Sequence, residues 1–193
     1  CKKDVSDEQS AAFKTVSQYD HQIVHEWNNM WTDLERYAAG YRPCPTANAL
    51  GYVGLANYEA TVAGMPEYQS IASRYDGLSI PKAVNDKEYH WPTVVNAVNG
   101  YMYERFFPEV NPALYARIKT LSNNYEKQFL SETNQEIFLR SKNHGEAVAA
   151  AVWEWMKTDV ATFDGYKDPF KENTWRDRVN QPGAWTPTVP GPG

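Results

Sequence analysis

An all-α bundle of about five helices is the fold this sequence predicts, and three observations point there. Apolar residues recur at steps of three and four along several stretches, as one face of a 3.6-residue helix requires. Helix caps and breakers fall at the ends of those stretches. The length of 193 residues, with 42% hydrophobic and 22% charged side chains, suits one domain with a real core.

The first helix is read between Ser17 and Ala39, with Ile23, Val24, Trp27, Met30, Trp31, Leu34 and Tyr37 forming an aromatic face. Gly40 supplies a stop and Pro43 a turn. Pro45 and Thr46 restart a helix, with Thr46 as its N-cap, running through Leu50, Val53, Ala56 and Ala60 to Gly64. Gly51 and Gly54 inside it cost about 1 kcal/mol each relative to Ala. Close approach of a neighbouring helix would compensate, so this segment is expected to be central and buried. Residues from about 65 to 90 carry Pro66, Gly77 and Pro81 without a sustained period and read as a long loop.

Trp91-Pro92 opens a third helix to about Phe107, and Asn111-Pro112 a fourth with Leu114, Ile118, Leu121, Tyr125 and Phe129 on one stripe. Thr133 to Glu136 reads as a capping box for a fifth helix, continued by Ile137, Val148, Val152 and Trp155 toward Asp159. Beyond Phe163 the pattern stops. Residues 164–193 contain Pro169, Pro182, Pro187, Pro190 and Pro192, so they form a non-helical C-terminal arm. Phe170, Trp175 and Trp185 in that arm call for an apolar surface, and Trp185 is expected to meet a partner outside this chain. The domain organisation is thus a tether over 1–16, a helical domain over 17–163 and an extended arm over 164–193.

Charge and composition narrow the function classes. A net charge of -5 argues against a general nucleic-acid binder, which needs a basic stripe. The longest strictly apolar run, Ala147 to Trp153, is too short to span a bilayer. Cys1 opens the chain, followed by a polar stretch to Ser10, as in a lipoprotein whose leader has been removed and whose thiol carries a lipid. The expected location is the cell envelope, on its periplasmic or outer-surface side, with membrane attachment through that lipid alone. Cys44 then has no partner and is expected to be an ordinary buried thiol.

The residues that carry chemistry form no self-evident site. His21 and His25 stand four apart, as a metal pair or as helix-surface side chains. Gln22 occupies the position where a zinc endopeptidase needs Glu. Ser141 and His144 fall on the buried stripe of the fifth helix, either lining a pocket or bonded within the core, and Gly145 lets a backbone come near. Asp33/Glu35, Glu59, Glu154 and Asp159/Asp164 offer carboxylates, but spacing singles out no acid–base pair. No Gly-rich phosphate loop occurs.

The stretch Pro45 to Ala60 resembles the small-residue helix near the start of bacterial vanadium-dependent haloperoxidase-like proteins, of the phosphatidic-acid-phosphatase type 2 superfamily. Ser141 with Gly145 to Ala149, Trp155 and Asp159 resembles that family's last helix before its catalytic half. Trp185 to Pro190 resembles the linker into that half. The family's site needs Lys seven residues before Arg-Pro, a Pro-Ser-Gly-His loop, and Ser-Arg followed by His. Here Glu35 precedes Arg42-Pro43, Ile80 follows Ser73-Arg74, and Pro-Ser-Gly-His is absent. The resemblance therefore implies a structural N-terminal part without catalytic or cofactor-binding residues of its own. Its partner would be the C-terminal catalytic half of the same protein, an acid phosphatase- or haloperoxidase-like enzyme holding phosphate or vanadate. A competing class is a non-enzymatic lipoprotein that binds glycans or other ligands through surface aromatics.

Overall fold

The computed structural model describes residues 13–38, 41, 43–160, 162–167 and 182–183. Cys1 and most of the expected tether lie outside the described residues, as do Phe170, Trp175 and Trp185. The described residues form an all-α bundle of five helices, α1 (Gln22–Glu35), α2 (Pro43–Thr61), α3 (Trp91–Phe106), α4 (Pro112–Glu132) and α5 (Gln135–Met156). Short 3-10 turns occur at Val16–Gln18, Val62–Gly64, Ala72–Arg74 and Phe163–Tyr166, and the long connection between α2 and α3 is otherwise irregular.

The helix at the centre is α3, which packs against each of the other four. Twelve of its sixteen residues are buried, including polar Thr93, Asn96 and Asn99. α1 lays Ile23, Trp27, Trp31 and Leu34 onto it, a spacing that keeps one face inward. Tyr103 ties the pair by donating to Trp27 O at 2.9 Å, while Trp27 Nε1 donates to Asn96 Oδ1 at 3.1 Å. Trp31 meets the rings of Tyr41, Tyr103, Phe106 and Phe107 edge-on. Each such buried aromatic contributes roughly 1.5–3 kcal/mol through apolar burial.

α2 is not the central helix. Ala49, Val53, Ala56 and Ala60 face the core, but Gly51 and Gly54 point outward, and a Cβ on either would meet nothing within 4 Å. The small inward residues, rather than the glycines, are what let α2 approach its neighbours. Cys44 lies on the same outward side and is exposed, because it falls about 140° around the helix from the Ala49 stripe. Helix starts also differ in detail. α2 begins at Pro43, which places Thr46 inside the helix instead of at its cap. For α5 the N-cap is Asn134, whose side chain accepts from Ile137 N at 2.9 Å, while Thr133 ends α4. Asn111 caps α4 in the same way, accepting from Ala113 N at 2.8 Å.

The chain leaving α5 folds back, so the first residues of the expected arm lie on the bundle in a 3-10 turn and not extended from it. Tyr166 packs its ring against Phe106 and Trp153, and Gly165 lies against Pro45. At the other end, Trp91 Nε1 donates to Lys14 O at 3.1 Å, fixing the entering segment across the start of α3.

Candidate functional site

The side chains that could carry chemistry gather where α5, the start of α3 and the end of α2 meet. Ser141 and His144 occupy successive turns of α5 and are both buried there. They do not act on one another. The Ser141 hydroxyl donates to Ile137 O at 2.7 Å and accepts from His90 N at 2.8 Å. His144 turns toward α2, its Nε2 3.0 Å from Ala60 O. A carbonyl only accepts, so Nε2 carries the proton. Tyr89 meets the same imidazole edge-on at 5.3 Å between ring centroids.

Gly145 explains how these contacts are possible. A Cβ there would stand 2.5 Å from Val94 O and 2.9 Å from Ala97 Cβ. The missing side chain lets the α3 backbone lie directly on α5, which brings His90 N–H within reach of Ser141.

His90 carries most of the remaining chemistry, and nothing in the sequence periodicity marks it. Its Nδ1 is 2.8 Å from Thr93 Oγ1 and its Nε2 is 3.3 Å from Glu132 Oε2. Tyr19 and Phe129 cover the ring edge-on. Carboxylate, imidazole and hydroxyl therefore stand in series, the order used to activate a nucleophile. Thr93 and Ser141 are both buried, however, so their hydroxyls face packed protein and not a substrate. The one available signal was local: His90 directly precedes a helix and Thr93 follows it by three positions, a spacing that lets the two meet across the first turn.

Burial lowers the pKa of His144, opposed in part by its bond to Ala60. Burial likewise lowers that of His90, with the Glu132 carboxylate pulling the other way. Both rings are thus held toward the neutral form. Tyr52 is pushed up to about 12 by burial and by its bond to Asp159.

The other sequence-predicted residues are dispersed. His21 and His25 are exposed at the start of α1, their rings edge-on at 5.0 Å. Among the described residues no group of three or more His, Cys, Asp or Glu is placed to hold a metal ion. The carboxylates each take a separate partner. Asp33 pairs with Arg117 at 2.7 Å, Glu35 accepts from Trp31 Nε1 at 2.7 Å, and Glu154 pairs with Lys157. Asp164 pairs with Lys167, and Asp159 accepts from Tyr52 and Thr162. Buried Glu59 accepts from Ser70 Oγ at 2.6 Å and Ile71 N at 2.8 Å, pinning the loop after α2.

What this arrangement does chemically is join helices. Asn57 and Asn99 exchange amide bonds between α2 and α3 at 3.2 and 3.1 Å, and Asn96 links α3 to Ser122 O on α4 at 3.0 Å. Among the described residues no buried side-chain nitrogen or oxygen lacks a hydrogen-bond partner, and those bonds that run between helices fix their register. No family model matches this chain, and neither a curated protein nor a solved structure matches it.

Proposed function

We propose that this chain is the structural N-terminal part of a lipid-anchored phosphatase- or vanadium-haloperoxidase-like enzyme. Its helices would pack beside a C-terminal catalytic half of the same protein, and that half would hold phosphate or vanadate. The observation that supports this best is the pairing of the two segments that resemble the family. α2 and α5 lie against each other, joined at one end by His144 to Ala60 and at the other by Tyr52 to Asp159 at 3.1 Å. Asn48 Nδ2 extends that contact to Thr162 Oγ1 at 3.1 Å. The motif residues thus serve as mutual supports, a role that fits a scaffold whose chemistry lies elsewhere.

The coding sequence after Gly193 tests this reading most cheaply, because a Pro-Ser-Gly-His loop is expected there. The purified chain should neither hydrolyse a generic phosphate ester nor bind vanadate, whereas the chain extended through that loop should do one or both. Turnover by the chain alone, surviving purification to homogeneity, would overturn the proposal.

We also propose that Cys1 carries a lipid and holds the protein at the cell envelope. A lipid contributes about 0.8 kcal/mol per buried methylene, and several acyl chains together give stable attachment. Protein made with its leader should partition into detergent, and Cys1→Ala should release it. Equal partitioning of the two forms would refute the anchor.

A further inference from the structure

His90 is only 4% exposed, and separate elements hold it in place. Its backbone N–H donates to Ser141 on α5, Thr93 Oγ1 stands 2.8 Å from Nδ1, and Glu132 Oε2 stands 3.3 Å from Nε2. A carboxylate only accepts, so Nε2 carries the proton and Nδ1 of the neutral ring accepts from the Thr93 hydroxyl. Phe129 of α4 and Tyr19 of the entering segment cover the imidazole edge-on, each 5.1 Å between ring centroids. Phe129 belongs to the buried stripe of α4 and cannot leave without that helix. Tyr19 can.

The segment that carries Tyr19 is lightly held. Its 3-10 turn, Val16–Gln18, contains no buried residue and is closed by a bond of its own, from Thr15 N to Gln18 Oε1 at 2.8 Å. It meets the bundle through Tyr19 on His90, Val16 against the core, and the bond from Trp91 Nε1 to Lys14 O at 3.1 Å. The Lys14 ammonium lies 3.9 Å from the centre of the Tyr19 ring. Three charges bear on this corner. Lys14 opposes a second proton on His90 and Glu132 of α4 favours it, with burial outweighing both. Glu88, just ahead of α3, acts on the Tyr19 hydroxyl together with Glu132. From α5 the contact is the neutral Ser141 hydroxyl.

We propose that His90 and Tyr19 form an acid-released latch, in which a second proton on the buried imidazole drives residues 14–19 off the start of α3. Burial disfavours an imidazolium, so the ring binds that proton more readily when Tyr19 is away and water reaches it. The proton goes to Nδ1, the Thr93 hydroxyl turns from donor to acceptor, and the Glu132 carboxylate keeps the imidazolium in place. Because α3, α4 and α5 fix the ring, the entering segment is what moves. The docked ring is the weaker base, so docking is fully favoured above about pH 6.5 and loses ground below it. Thr15 lines both the groove beside Lys87 and the groove beside Tyr68, and the two join when it leaves.

The test follows the full chain by NMR from about pH 7 to 5, where histidine changes charge. The Trp91 indole N–H, assigned with a Trp91→Phe variant, reports the bond to Lys14 O, and the His90 Cε1–H reports the proton. The indole signal and the amides of residues 16–19 should shift in one step whose midpoint matches that of His90, while amides of 49–56 on α2 hold still. Glu132→Gln should lower that midpoint by about half a pH unit or more, and Lys14→Gln should raise it by less. Lys14 is exposed and the Glu132 side chain is 41% exposed, so both variants keep the fold. A purely structural role would not give shifts of opposite sign. His90→Gln should abolish the step. Titration of His90 with the Trp91 indole unmoved would overturn the proposal. So would midpoint shifts of one sign in the two charge variants, or a step that survives in His90→Gln.

Discussion

Gly145 of α5 and the Gly51/Gly54 pair of α2 occupy helix interiors for opposite reasons. At Gly145 the α3 backbone fills the space a side chain would need, whereas Gly51 and Gly54 face open space. The same residue type therefore stabilises one interface and weakens one helix. A glycine in a helix signals close approach only when a neighbour is actually there, and composition cannot supply the neighbour.

Substitution at the closed position should give the largest effect. Gly145→Ala should destabilise the chain by about 2 kcal/mol through overpacking against Val94 O, which a domain of this size shows as a Tm fall of roughly 4–8 °C. An unchanged melting temperature would mean that α3 and α5 can separate freely, and the contrast with α2 would collapse.

Next in size is the hydroxyl that Gly145 brings into place. Ser141→Ala removes the acceptor from His90 N–H, and an unsatisfied buried donor costs about 1–3 kcal/mol. Denaturant unfolding should show the lower midpoint without a change in slope. Ser141→Thr is no test of the same bond, because its extra methyl enters the packed seam.

On the open face the sign reverses. Gly51→Ala and Gly54→Ala should each stabilise the isolated chain by up to about 1 kcal/mol, the helix-propensity difference, since no atom meets the added Cβ. If either substitution lowers stability instead, something covers that face in solution, and a sedimentation measurement would show whether a second copy does.

The smallest effect is a shallow dependence on pH, confined to the closed region. Burial depresses the pKa of His90 and His144 below the ordinary 6.5, so the unfolded chain binds protons first as pH falls. Their contribution is fully present above about pH 6.5 and declines below it toward the folded values. Replacing both by Gln should flatten the stability profile between pH 7 and 5.

Much of the bundle could be read along the chain, because caps and stripes are local. Pro92 in the first turn of α3, the Asn111 cap of α4 and the Trp27–Trp31–Leu34 face of α1 each rest on residues a turn or two apart. The seam was far less legible. Ser141 and His144 fall on a buried stripe by counting, yet whether they meet each other or separate neighbours depends on α2 and α3. His90 left no periodic trace, and its partner Ser141 is 51 positions away.

By itself, then, the sequence determined the five helices, the irregular stretch between α2 and α3 and the apolar faces, because propensity, capping and periodicity act over a few residues. That α3 and not α2 is the central helix, that Cys44 is exposed, and that His90 joins Thr93, Ser141 and Glu132 followed from how the helices pack. Those outcomes depend on which surfaces meet. Helix packing is settled by volumes and hydrogen bonds between segments far apart in the chain, and a glycine or a serine carries the same letter whether or not another backbone lies against it.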